Sequence, residues 1–542
     1  LAGLAEFLAE NRVMSIGRSM TRPARYAVLA AGGLPALAFP APGVAPLAWI
    51  ALVPGLLLIQ RAGSAREAAV RGGWFGTGYM LATIWWLTPN LGPAVLLVAI
   101  VLGAAWTGVG LATWALLRPP VTARRALAAL VVVPSGWLVV ELIRSWQALG
   151  GPWGLLGASQ WQHPVMLALA ALGGVWLISA ALVAANTGIL IAVISRATPV
   201  RLAGALAAAA CIAAGPVAYA LARPAAPVAA LTVALVQPGI VRDAQIRVDA
   251  SQRITASLAA HAPAVRADLI VWGESSVAYN LDTDTALLRQ IRALSARMGA
   301  PILVNQDAPR GDGHISKVAV LVGPAGIEGS YEKSRLVPFG EYIPLRRYLG
   351  WLTQISKAAK SNRIPGTGTH LLTVAGPAGR TLPIGVLICF ESAFPDMSRV
   401  AADKGAELIV YQSATSTFQD SWAPQQHASL GALRAAETGR PVVQAALTGV
   451  SAAYDSRGRD IAWLAASRHG VVVVRLALPA GSARTLYDRL GEYVPFTATG
   501  IAAVAALYGL AGRRRSRRLR AVAARPATQP AAPRDHADHD RG

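Results

Sequence analysis

Apolar positions along the chain fall into two regimes. Over the first 223 residues they form long unbroken spans, at 26–40, 44–61, 69–88, 91–117, 125–143, 165–195 and 202–222. Each approaches the roughly 17–25 residues that a bilayer-crossing helix needs, allowing for tilt and for two short leading spans rich in Gly and Pro. The 165–195 span holds Asn186 and Gly188, and reads either as one tilted helix or as a helix plus a re-entrant piece. From about Leu231 to Asp488 the apolar runs shorten: "LTVALVQ", "ADLIVWGE", "PILVNQD", "KVAVLVG", "LPIGVLICF", "AELIVYQ", "RPVVQAAL" and "GVVVVRL". Helical stretches such as "DTALLRQIRALSARMG" and "QHASLGALRAAETG" separate several of them, which predicts a folded α/β domain. "FTATGIAAVAALYGLAG" then makes an eighth span, followed at once by "RRRSRRLR". The expected organisation is an N-terminal segment 1–25, a seven-span membrane domain 26–223, an α/β domain 224–493, an eighth helix 494–511 and a basic, disordered tail 512–542.

The arginines orient this arrangement. Arg18, Arg22 and Arg25 precede the first span. Arg61, Arg66 and Arg71 lie between the second and third, Arg118, Arg124 and Arg125 between the fourth and fifth, and Arg196 and Arg201 between the sixth and seventh. The alternate loops "PAPGVAP" and "TPNLGP" carry no charge, and the third of them has only Arg144. Positive charge on every second loop places those loops and the N-terminus in the cytoplasm and the α/β domain on the outer face. A composition of 54% hydrophobic and 14% charged residues, against about 25% charged in soluble proteins, agrees with a membrane protein. The net charge of +22 sits mainly at membrane edges, so it calls for no nucleic acid partner. The polybasic run fits a cytoplasmic end beside anionic lipid. "LAGLAEFLAENRVMS" is too short and too acidic for a cleavable signal peptide, and Met14 and Met20 are both candidate initiators. "HADHD" in the tail has metal-ligand residue types but reads as solvated, and no metal or other cofactor is expected.

Two cysteines make no disulfide framework. Cys211 lies in an apolar span; Cys389 ends the strand-like "LPIGVLI", with Glu391 two places on. A buried structural cysteine is the plain reading of Cys389. An idle thiol is out of place on an exported domain, and a strand-to-turn position presents a side chain as nucleophile elbows do. Such a nucleophile needs a base or a cation. Glu274 directly follows the strand of "ADLIVWGESS", where desolvation is expected to raise its pKa into a range useful for proton transfer. Lys333, in "GSYEKSRLVPFGEYIP", supplies an ammonium that favours thiolate and stabilises an oxyanion. Taken singly, Glu274 reads equally as a surface carboxylate and Lys333 as a solvated cation.

The order strand–Glu, strand–Lys, strand–Cys, opened by "VALVQ", resembles the nitrilase superfamily, which implies an αββα sandwich. "KSRLVPFGEYIPLR", with seven spans before the domain and one after, resembles the apolipoprotein N-acyltransferase family. "ELIRS" and "PWGLLGASQWQHP" are similar to that family's outer loop, and "QQHASLGALRAAETGRPVV" to its segment after the cysteine. The resemblance implies Glu274 as general base, Lys333 as oxyanion cation and Cys389 as nucleophile. Glu341 and Glu391 would be supporting carboxylates, and Phe390 stands where the family often has tyrosine. It also implies a phospholipid acyl donor, typically phosphatidylethanolamine, a diacylglyceryl apolipoprotein acceptor, and a multi-pass bacterial cytoplasmic (inner) membrane protein. "SATSTFQDSW" keeps only Phe418 of the family's usual sequence after the "ELIVYQ" strand, which puts substrate contacts at 413–422 in doubt.

"YIPLRRYLGWLTQISKAAK" mixes Leu345, Tyr348, Leu349, Trp351 and Leu352 with Arg346, Arg347, Lys357 and Lys360. It reads either as an interfacial lid or as a soluble helix packed on the domain. Trp146, Trp153 and Trp161 read as aromatic-belt or packing residues rather than substrate contacts. A membrane-tethered amidase using the same three residues and a non-enzymatic scaffold are the rival readings.

Overall fold

The computed structural model describes residues 22–239, 244–261, 266–309, 314–351, 353, 363–376, 379–418 and 420–523. The "HADHD" tail, Met14, Met20, Leu352, Lys357 and Lys360 lie outside the described residues. Among the described residues, twelve strands form two six-stranded sheets. The first runs β12-β1-β2-β3-β4-β5, with β1 Pro227–Gln237, β2 Leu269–Trp272, β3 Ile302–Pro309, β4 Ile315–Val322, β5 Ile327–Glu332 and β12 Gly470–Pro479. The second runs β11-β10-β9-β8-β7-β6, with β6 Leu371–Ala375, β7 Thr381–Ile388, β8 Leu408–Ser413, β9 Val442–Ala446, β10 Ser451–Tyr454 and β11 Asp460–Leu464.

Central strands buried on both faces explain the unbroken apolar runs of the sequence. Ala234, Val236, Ile270 and Trp272 join Ile291 and Leu294 of the Thr285–Met298 helix in one core. Their alternates Val233, Leu235, Leu269 and Val271 pack in the other, with Ile384, Val386 and Ile388 of the second sheet. The sheets are also pinned by polar contacts. Gln412 Nε2 donates to the carbonyls of Trp272 (2.9 Å) and Leu303 (3.2 Å), and Glu274 N–H donates to Ser413 O (3.2 Å). At Gly273 the backbones approach so closely that a Cβ would stand 1.9 Å from Leu447 N, so only glycine fits beside Glu274.

Among the described residues, five helices are long and apolar enough to cross a membrane: Ala94–Leu117, Ala123–Arg144, Pro164–Ile194, Thr198–Leu221 and Tyr493–Ala511. The two leading spans are shorter apolar helices, Ala24–Ala38 and Ala45–Gln60, interrupted by 3-10 turns at Leu34–Ala38 and Ala45–Trp49, where Pro35 and Pro46 sit. The Ala65–Ile84 helix has 20 residues, but Arg66, Glu67 and Arg71 occupy its first two turns. The eight expected spans are thus five long apolar helices and three lesser ones. The last helix continues from Tyr493 to Ala523, through the basic run that was expected to be disordered. Alanine, leucine and arginine are strong helix formers, which accounts for the extension.

The Pro164–Ile194 helix breaks at Gly173 and Gly174. Gly174 has φ +69, and a Cβ there would lie 2.7 Å from the Tyr487 ring. The freed Val175 N–H donates to Glu437 Oε1 at 2.8 Å, and Glu437 pairs with Arg434 at 3.1 Å, both fully buried. A carboxylate from the α/β domain thus caps a helix that restarts within the membrane domain, where the helix dipole favours negative charge. Trp161 stacks on Trp463 at 5.1 Å, a second tie between the two regions. Gly174→Ala is expected to lower the melting temperature in detergent, at a cost of about 1–3 kcal/mol, because both the left-handed backbone and the ring oppose a methyl group.

Candidate active site

Three strand ends and one loop converge at the edge of the two sheets. Strand β7 stops at Ile388, and Cys389 turns sharply at φ +50 into a short 3-10 helix, Cys389–Ala393. Cys389 is partly buried, and its thiol interacts electrostatically with Glu274 and Lys333. Its carbonyl accepts from Ser392 Oγ (2.8 Å) and lies 3.1 Å from His427 Nε2. A carbonyl only accepts, so Nε2 carries the hydrogen, and the buried ring is neutral because burial depresses its pKa. Ser413 Oγ, at 3.3 Å, meets the other ring nitrogen, and Trp153 of the membrane-domain loop lies against the ring at 5.9 Å. These contacts hold a backbone conformation that costs about 1–3 kcal/mol in a non-glycine residue.

Lys333, directly after β5, is buried, with Nζ 2.9 Å from Glu341 Oε1 and 3.3 Å from Glu274 Oε1. Glu341 also accepts from Val337 N–H at 2.9 Å, so it fixes both the lysine and the loop that follows it. Glu391 is fully buried and accepts five hydrogen bonds: from Tyr331 OH, Ser334 N–H, Ser334 Oγ, Arg335 N–H and, on its other oxygen, Ile388 N–H, all at 2.8–3.0 Å. It ties the lysine loop to the cysteine turn. Phe390 is buried edge-on against Phe394 (4.9 Å), beside Gly151 of the membrane-domain loop. Glu391→Ala is expected to strand these donors and cost at least about 3 kcal/mol. A lowered melting temperature would check it; an unchanged melting temperature would refute the tether.

The electrostatics depart from expectation at two residues. Burial alone pushes Glu274 upward, but the ammonium groups of Lys317 and Lys333, with a smaller contribution from the Cys389 thiol, outweigh it, and its pKa falls to about 2. The expected rise therefore does not occur. Cys389 is pushed up to about 12, by burial and then by the Glu274 charge, against the pull of Lys333. Two carboxylates hold Lys333, so its field does not create a resting thiolate. Both shifts favour the proton on sulfur and an ionised Glu274.

The sequence reading missed Lys317, Asp307, Arg363 and His427. It also missed Trp86, which packs on Phe418 (5.1 Å) and Trp153 (5.2 Å), and Trp85, which packs on Trp422 (5.6 Å). Phe418 and its neighbours thus meet the membrane domain through aromatic edges. Trp146 is 67% exposed, whereas Trp153 and Trp161 pack on residues of the α/β domain. Leu345, Tyr348 and Trp351 are exposed, as either reading of that segment as a lid or a surface helix allows.

The two six-stranded sheets that carry the Cys389 cluster at their edge coincide with residues 232–483, which match the Carbon-nitrogen hydrolase family. Residues 31–188 match the family described as Apolipoprotein N-acyltransferase N-terminal domain. The chain is 30% identical over 510 residues to the apolipoprotein N-acyltransferase of Geobacter metallireducens, covering 88% of this chain and 93% of that one. It is 30% identical over 453 residues to the Pseudomonas putida enzyme, covering 81% and 87%. The chain belongs to the apolipoprotein N-acyltransferase family.

Proposed function

We propose that the protein acylates the α-amine of the diacylglyceryl cysteine of apolipoproteins, taking the acyl chain from a membrane phospholipid such as phosphatidylethanolamine. The observation that carries this reading is Cys389 on its strained turn within the field of the buried Glu274–Lys333 pair, in a domain bonded directly to apolar helices. In the first half-reaction Cys389 sulfur attacks the ester carbonyl while its proton passes to Glu274. The new oxyanion lies against Lys333 Nζ. That pairing takes up part of the field that Lys333 exerts on Glu274 and makes the carboxylate a better base just as the proton arrives. Collapse breaks the ester C–O bond, and the departing lysophospholipid oxygen takes the proton from Glu274. In the second half-reaction the neutral amine attacks the thioester, Glu274 receives the amine proton, and the thiolate leaves and is reprotonated.

Glu341 and Glu391 are positioning residues in this scheme, and Phe390 is packing, since it has no hydroxyl to donate. Exposed Leu345, Tyr348 and Trp351 beside Arg346 and Arg347 suit contact with acyl chains and phosphate at the outer face of the cytoplasmic membrane. The test is intact-mass analysis of a synthetic diacylglyceryl peptide incubated with detergent-purified protein and phosphatidylethanolamine of one defined acyl chain. A mass gain of one acyl group is expected. No gain, with release of ammonia from small amides instead, would favour a membrane-tethered amidase.

A further inference from the structure

Lys317 lies at the start of β4 and is 5% exposed. Antiparallel register sets it opposite Asp307 of β3, and its carbonyl accepts the backbone N–H of Lys333 (2.9 Å). Two lysines therefore point into one buried space from neighbouring strands. Lys317 Nζ stands 2.9 Å from Asp307 Oδ1 and 3.3 Å from Glu274 Oε1, and it donates to Ser275 Oγ. Lys333 Nζ is 3.3 Å from the same Glu274 oxygen, so one carboxylate oxygen is bracketed by two ammonium groups. Arg363 closes the set, 3.1 Å from Asp307 and 3.7 Å from Glu341. Three carboxylates and three cations balance while the thiol keeps its proton.

We propose that Lys317 is a positioning residue for the reaction: held by Asp307, it fixes the Glu274 carboxylate within the site that faces Cys389. The proposal rests on the reading of Glu274 as general base. The groups facing Glu274 are Lys317, Lys333, Asp307, Cys389 and, more weakly, His427; Lys317 is the strongest of the charges acting on it. Asp307 acts in the opposite sense, so removing Lys317 both deletes a cation and leaves Glu274 facing an anion. Glu274 pKa then rises. The carboxylate is lost to protonation as pH falls through that raised value, where the parent protein would still be ionised. A low pKa also suits the later step: a strongly acidic Glu274 readily gives its proton to a departing alkoxide oxygen.

The experiment uses the full chain in detergent, with Cys211→Ala removing the other thiol. The rate of Cys389 alkylation by iodoacetamide is followed by intact mass from neutral to acid pH. This readout needs neither phospholipid nor lipoprotein, so it stands or falls apart from the acyl-transfer reading. The parent rate is expected to fall smoothly, about tenfold per pH unit, with the thiolate fraction and without a break wherever the protein remains folded. In Lys317→Met a break should appear where Glu274 takes up its proton, with its midpoint about 1–3 pH units above the parent Glu274 value. Lys317→Arg should restore the parent profile, and adding Asp307→Asn to Lys317→Met should bring the midpoint part of the way back. Lys317→Gln, which keeps donors for Ser275 and Asp307 without the charge, should shift as the methionine variant does and serves if that variant fails to fold. A normalised profile for both uncharged variants that superimposes on the parent would overturn the proposal. A shifted profile in a protein that acylates no peptide would uphold it and discard the acyltransferase reading.

Discussion

Cys389→Ala is expected to take up no acyl group from phosphatidylethanolamine, where the parent protein gains one acyl mass that neutral hydroxylamine removes. Turnover should fall by at least about 10⁴-fold, the scale seen when an enzyme loses the nucleophile of a covalent mechanism. Folding should be almost untouched. Alanine keeps the Cβ that already stands at φ +50, and the lost sulfur was only partly buried. Cys389→Ser is a sharper test of the electrostatics. A hydroxyl is a weaker acid than the thiol, and Glu274, with a pKa near 2, is a weak base for it. The serine variant should therefore be nearly as inactive as the alanine one. Substantial activity in either would remove Cys389 from the chemistry and point to a scaffold.

Lys333→Met is the second large effect, and it has two separable parts. Two carboxylates share this one buried ammonium, so its loss leaves them facing each other without it. Breaking a buried pair in this way costs about 3–5 kcal/mol, visible as a lower melting temperature. Loss of the charge that meets the developing oxyanion should slow acylation by about 10²–10³-fold. Lys333→Met combined with Glu341→Gln tells the two apart. Removing the surplus carboxylate should recover much of the stability and none of the rate. If rate returned with stability, Lys333 would be a packing cation and the oxyanion would have to be met elsewhere.

The parts of this site that were legible in the sequence share one physical origin. Glu274 and Cys389 each end a strand buried on both faces, and such strands announce themselves as uninterrupted apolar runs. Lys333 follows β5, "IEGSYE", which is a polar edge strand with no such run, and its place was read from the longer β4 before it. Strands β6, β10 and β11 escaped for related reasons: they are short, and β6 and β11 lie at sheet edges where burial is incomplete. Lys317 was hidden because "ISKVAV" looks like a strand with one polar position. Its significance depends on Asp307 across the hairpin and on Glu274 from another strand. The five donors of Glu391 come from residues 331–335 and 388, a convergence that only tertiary structure reveals. The membrane spans were over-regularised, since Pro35 and Pro46 turn apolar stretches into short helical pieces.

The resting protonation of Cys389 also bears on how the protein survives where it works. Oxidants and electrophiles in an oxidising compartment react with thiolates far faster than with thiols. On the outer face proposed for this domain, a permanently ionised cysteine would drift towards sulfenic and then irreversible sulfinic acid between turnovers. With the ion balance among Glu274, Lys333 and their neighbours complete without it, the sulfur favours keeping its proton and reacts slowly with stray electrophiles. Shelf life and reactivity are thus kept apart in time.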